Sequence, residues 1–109
     1  MGKEEIYVRV ALVTVPSIEV GKRLARELVE ARLAACVNVL PGVTSVYEWK
    51  GEICEDGEVL LVIKTTASAI CDLERAVLAK HTYETPEFVV LDAKHVEASY
   101  ASWLFGQVD

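Results

Sequence analysis

The residue types able to do chemistry gather in one stretch, His81-Thr82-Tyr83-Glu84-Thr85-Pro86-Glu87, which brings an imidazole, a phenol and two carboxylates together. Imidazole beside carboxylate suits a borderline divalent cation such as Cu(II) or Zn(II). Trp49 could line a pocket around such an ion. Lys64, the first charge after the apolar run Val59–Ile63, would instead draw an anionic ligand to the same place. The candidate ligand pocket is therefore Trp49, Lys64, His81, Tyr83 and Glu87, with His81 the candidate metal ligand. A purely structural reading stands beside it. There, His81 answers the negative end of the preceding helix, Tyr83 and Pro86 shape a turn, Lys64 pairs with Glu87, and Trp49 packs against a neighbouring copy.

The other thiols and imidazoles add no second site. Cys36, Cys54, Cys71 and His95 form no C-x-x-C, no H-x-x-x-H and no other close pair, which argues against a structural zinc centre within one chain. Cys36 follows Ala34-Ala35 in an apolar run and reads as a buried small hydrophobe. Three widely spaced cysteines suit reduced thiols and hence the cytoplasm. There is no G-x-S-x-G, no phosphate-binding loop and no dinucleotide glycine pattern, so conventional enzymology finds no foothold.

The elements that must position these residues are readable from periodicity. Ile6–Val13 is β-branched and closes at Pro16, the signature of a strand. Ser17 stands at an N-cap, and Gly21, Leu24, Ala25, Leu28 and Ala31 recur at helical spacing, which predicts a helix over 17–32. Cys36–Leu40 is a short apolar strand interrupted by Pro41-Gly42, a bulge or edge signal, and it resumes over Val43–Trp49. Lys50-Gly51 is the expected hairpin tip. The return strand runs from about Glu52 to Thr65, with Asp56-Gly57 as a second bulge or an alternative tip. A second helix is expected over 67–80, capped by Thr66 or Ser68, then a strand over 88–91 and a short helix over 97–105 ending near Gly106. The order βαββαβ plus a terminal helix is the α+β, ferredoxin-like sandwich: an antiparallel sheet with helices on one face.

At 109 residues the chain fits a single domain over 1–109, and 52% hydrophobic residues can build a core. The formal net charge of -6 and the lack of a Lys/Arg cluster argue against nucleic acid as a partner. No segment has the apolar length of a membrane span, and Met1 to Glu5 lacks a signal-peptide layout.

Length alone points to self-association. Central strands of about fifteen residues reach roughly 45–50 Å, whereas a compact domain of this size is about 34 Å across. The hairpin must overhang its own body, and a lone two-stranded ribbon carrying Val46, Tyr47, Trp49 and Ile53 is marginal in water. A neighbouring copy would shelter it; the alternative is that Pro41-Gly42 folds the strand back over its own sheet.

Three long segments also carry a family resemblance: Ala31–Ile53 (ARLAACVNVLPGVTSVYEWKGEI), Glu58–Thr66 (EVLLVIKTT) and His81–Leu91 (HTYETPEFVVL). With the terminal SYASWL they are similar, in order and spacing, to the CutA divalent-cation tolerance proteins over essentially the whole chain. The resemblance implies a homotrimer with interlocking hairpins, a PII-like assembly, and tolerance of copper and other divalent cations, with copper binding in some members. It implies no required cofactor. Suggested copper ligands in the family include a cysteine near the end of the first strand and a Cys/His pair ending the second helix. Here Ala11-Leu12-Val13-Thr14 supplies no thiol and the second helix ends at His81, the one matching ligand. The alternative implied by the PII likeness is a signalling or scaffold trimer that binds a small anionic ligand at the subunit cleft through Lys64.

Overall fold

The computed structural model describes residues 7–109, so the expected start of the first strand at Ile6 lies outside the described residues. Eight residues of β1 (Val8–Val15) lead through Pro16 to α1 (Ile18–Glu30), whose first turn is capped by the Ser17 hydroxyl accepting from the Val20 N–H at 3.2 Å. The long strands β2 (Cys36–Trp49) and β3 (Glu52–Thr66) follow, then α2 (Ile70–Lys80), β4 (Val89–Asp92) and α3 (Ala98–Gln107). The sheet order is β2-β3-β1-β4 with every neighbouring pair antiparallel. This is the ferredoxin-like α+β arrangement expected from the element order, the fold shared with PII-like proteins.

Alternation decides what the sheet buries. Ala11, Val13 and Val15 of β1 join Val59, Leu61 and Ile63 of β3 in one buried cluster with Leu24 and Leu28 of α1 and Leu73 and Val77 of α2. The intervening Val10, Leu12, Leu60 and Val62 are only half-buried, so the second face of the sheet is not covered by these helices. A smaller cluster of Val8, Ala35, Ala69, Leu104 and Val108 seats α3.

Several local expectations are corrected. Ala31 is exposed, because α1 stops at Glu30 and Arg32 turns the chain with φ 60. Neither Thr66 nor Ser68 caps α2: their hydroxyls bond each other at 3.1 Å, and a short 3₁₀ turn at Ala67–Ala69 delays the helix to Ile70. The terminal helix ends near Gly106 as expected: α3 runs from Ala98 to Gln107, with the Glu97 carboxylate accepting from the Tyr100 N–H at its start. Cys36, expected in the core, is half-buried. Asp56-Gly57 breaks nothing, because Asp56 and Gly57 pair in register with Ser45 and Thr44.

The hairpin behaves as its turn chemistry requires. Lys50 and Gly51 have φ 51 and 83, both left-handed, as a two-residue primed turn demands. Pro41-Gly42 is a bulge: the ladder shifts between Leu40 and Val43, and Gly42 takes φ 80. Beyond it the two strands continue outward as an arm. The molecule measures 48 × 25 × 23 Å, elongated as strand length implies.

Candidate functional site

The arm has two unlike faces. From the tip, Trp49 pairs with Glu52, Tyr47 with Cys54, Ser45 with Asp56 and Val43 with Glu58. With a period of two, Ser45, Tyr47, Trp49, Asp56 and Glu58 share one face, while Val46 and Ile53 point the other way. Side-chain hydrogen bonds fix the first set. The Tyr47 hydroxyl donates to Asp56 Oδ2, and this bond to a carboxylate pushes the phenol up to about 12. Losing the phenolic proton beside a negative oxygen would cost the bond and add repulsion.

The loop after α2 closes over this face. His81 ends α2 in extended conformation, its N–H still donating to Val77 O at 3.0 Å. The ring spans two elements: Nε2 lies 2.7 Å from Thr14 O, and the Tyr83 N–H donates to Nδ1 at 3.1 Å. A carbonyl only accepts and an amide N–H only donates, so these partners assign a neutral ring with its proton on Nε2. Both ring nitrogens are engaged. Thr14 lies beyond Leu12, where β4 stops covering β1, so the imidazole serves a carbonyl that the sheet leaves unpaired. The structural reading of His81 as a partner of the helix end is replaced by this tie between loop and strand.

Tyr83 is thereby aimed at the arm, and its hydroxyl donates to Glu58 Oε2 at 2.8 Å. Burial first, and then the Glu58 carboxylate, raise the Tyr83 phenol above its ordinary value. The Tyr83 ring also packs against His81 with centroids 4.6 Å apart.

The result is a cleft of about 750 Å³ between arm and loop, lined among others by Tyr47, Trp49, Tyr83 and the carboxylates Asp56, Glu58, Glu84 and Glu87. Of the residues singled out from sequence, Trp49, Tyr83 and Glu87 meet here. His81 stands behind the wall as the brace of Tyr83. Lys64 does not join them: it pairs in register with Val10 and Cys36, its Nζ donates to Asn38 Oδ1, and it lies roughly 20 Å along β3 from Glu58. The Lys64–Glu87 ion pair is therefore not formed. Tyr47, Asp56 and Glu58 were missed, and Glu84, part of the chemistry-bearing stretch, joins the cleft although it was not among the candidate pocket residues. A signal existed: counting back from a two-residue tip at Lys50-Gly51 puts Asp56 and Glu58 on the face of Tyr47 and Trp49.

Among the described residues no lysine or arginine lines the cleft. Among the described residues no group of three His, Cys, Asp or Glu side chains is close enough to hold a metal ion.

Residues 9–107 match the family model described as CutA1 divalent ion tolerance protein. The chain belongs to this family. A CutA divalent-cation tolerance protein of Thermus thermophilus is 50% identical over 95 residues, 87% of this chain and 92% of that protein. Human CutA is 46% identical over 97 residues, 89% of this chain. The chain spans only about half the length of the human and several plant and animal CutA relatives. The solved T. thermophilus Cut A1 structure superposes with TM-score 0.91 at 47% identity, covering 94% of this chain and 99% of that one. CutA1 from Oryza sativa superposes with TM-score 0.93 at 41% identity, covering 98% of both chains.

The CutA1 family is named for divalent-cation tolerance and not for a catalysed reaction. Its members are not tied to one compartment by name: one solved relative is called periplasmic and two plant relatives chloroplastic. Among the described residues no helix is long and apolar enough to cross a membrane.

Proposed function

We propose that the chain is a non-enzymatic, homotrimeric divalent-cation tolerance protein of the cytoplasm that binds Cu(II) or a similar divalent ion reversibly. The observation that carries the reading is the charge of the cleft, where, among the described residues, four carboxylates and no basic side chain line a recess braced by an imidazole. Oxygen and imidazole donors suit Cu(II) and Zn(II). The described residues of one chain do not complete a preformed centre, so the residues present fit an exchangeable ion better than a tightly held one. Further donors would come from a neighbouring copy, or from His81 once its ring gives up the Tyr83 N–H. No cofactor is required.

Trimer formation is supported by the arm. Val46 and Ile53 on the arm are 63% and 73% exposed, and each is worth about 1.5–3 kcal/mol when fully buried. Leu40, Val89 and Leu91 add exposed apolar area on the sheet face that the helices leave open. The anion-binding alternative lacks such support, because the charged side chains lining the cleft are all acidic among the described residues and Lys64 lies far along β3.

Calorimetric titration with Cu(II), Zn(II) and Ni(II) of the native chain, Glu58→Gln and His81→Ala tests the metal reading. Saturable binding that weakens in Glu58→Gln supports it. Equal, weak binding in all three proteins would remove the site. Light scattering tests assembly separately: a folded protein with the mass of one subunit would end the trimer proposal.

A further inference from the structure

We propose that the cleft between the arm and the 83–87 loop is a site for an organic ammonium ion of the aliphatic polyamine class. This goes beyond divalent-cation binding and does not depend on it.

Size is the first reason. The cleft's 750 Å³ falls within the roughly 300–1,000 Å³ of small-molecule sites. A bare metal ion needs donors converging to about 2.0–2.6 Å, and no group of three such donors exists among the described residues.

The walls are the second. Tyr47, Trp49 and Tyr83 all line the cleft, and aromatic faces attract alkylammonium ions through their quadrupole while also packing against methylenes. The Trp49 ring already draws one such group: Lys50 Nζ stands 5.8 Å from its centroid.

The carboxylates are the third. Asp56 accepts from Tyr47 and Glu58 from Tyr83, so each is held in place by a phenol. Each keeps lone pairs for a further N–H donor. They stand two residues apart on one face of β3, roughly 7 Å along the strand, while Glu84 and Glu87 face them from the loop. Acceptors on both sides of an aromatic recess match a flexible chain with several separated positive charges. A single point charge would satisfy only one side.

The test uses the assembled protein in buffer stripped of transition metals over a chelating resin, at constant ionic strength. The chain has two tryptophans, and Trp103→Phe leaves Trp49 as the fluorescent reporter. Spermidine is the probe, with Mg(II) and citrate as comparators. A saturable change in Trp49 emission with spermidine, absent with citrate and far weaker with Mg(II), is the expected result. Glu58→Gln should weaken spermidine about tenfold by removing a charge-assisted acceptor. By calorimetry Trp49→Ala should weaken it about fivefold. Circular dichroism and light scattering matching the native protein qualify each variant. Spermidine binding no tighter than Mg(II), or unchanged by both substitutions, would overturn the proposal. With no Cu(II), Zn(II) or Ni(II) present, that outcome leaves the divalent-cation reading to its own titration.

Discussion

His81→Ala should destabilise the protein by about 2–3 kcal/mol, because one ring holds two elements through two directed hydrogen bonds. The Nε2 bond to Thr14 O measures 2.7 Å and the Tyr83 N–H bond to Nδ1 measures 3.1 Å. Each such bond has a net worth of about 1 kcal/mol. The remainder comes from the Thr14 carbonyl, on a residue only 8% exposed. Stranding a buried acceptor costs about 1–3 kcal/mol, reduced here where water can enter beside the loop. Asn offers an acceptor near the position of Nδ1 and Gln a donor near Nε2, so His81→Asn and His81→Gln should each recover part of the loss. Urea unfolding at fixed protein concentration reads the global term. Hydrogen exchange at the Tyr83 amide reads the local one, and about 2 kcal/mol there corresponds to roughly thirtyfold faster exchange. An alanine variant within about 0.5 kcal/mol of native, with the Tyr83 amide equally protected, would refute the argument that His81 braces the cleft.

Gly42→Ala should cost about 1 kcal/mol in the same unfolding experiment, because Gly42 sits at φ 80 with nothing within 4 Å of an added Cβ, leaving backbone strain as the whole effect. Gly57→Ala has the same open space without the positive φ and should be neutral or mildly stabilising. Tyr47 should ionise near pH 12 in an absorbance titration, a step that Asp56→Asn lowers toward 10.0. Because the folded value is raised, the stability contributed by this bond is complete below pH 10 and fades as pH climbs toward 12; unfolding curves that do not change over that window would contradict the pairing. Ile53→Asp, on the arm's exposed outer face, should lower the scattering mass or its stability to dilution while leaving the circular dichroism of the folded subunit intact.

Much of this architecture follows from local rules that hold wherever the segment lies. The apolar stripe of Leu24, Ala25 and Leu28 makes α1 amphipathic, Ser17 can cap it, and Lys50-Gly51 can form a primed two-residue turn, all for reasons contained within a few residues. The length of β2 and β3 against the size of the body announced an elongated molecule. His81, Tyr83, Glu87 and Trp49 were visible as residues with chemistry to offer.

What they do there depended on which groups the completed fold sets face to face. Lys64 looked like a pocket residue only because it follows an apolar run; register carries it to the side of Asn38, far from the cleft. Asp56 looked like a turn residue beside Gly57, yet the ladder keeps it in the strand and turns it toward Tyr47. His81 looked like a free ligand, but an edge of β1 left unpaired past Leu12 claims one nitrogen and its own loop claims the other. Periodicity is a property of neighbours along the chain, so it could be read directly. Strand register, and the sites where the sheet runs out of partners, arise from contacts between residues distant in sequence, and only the folded structure decides them.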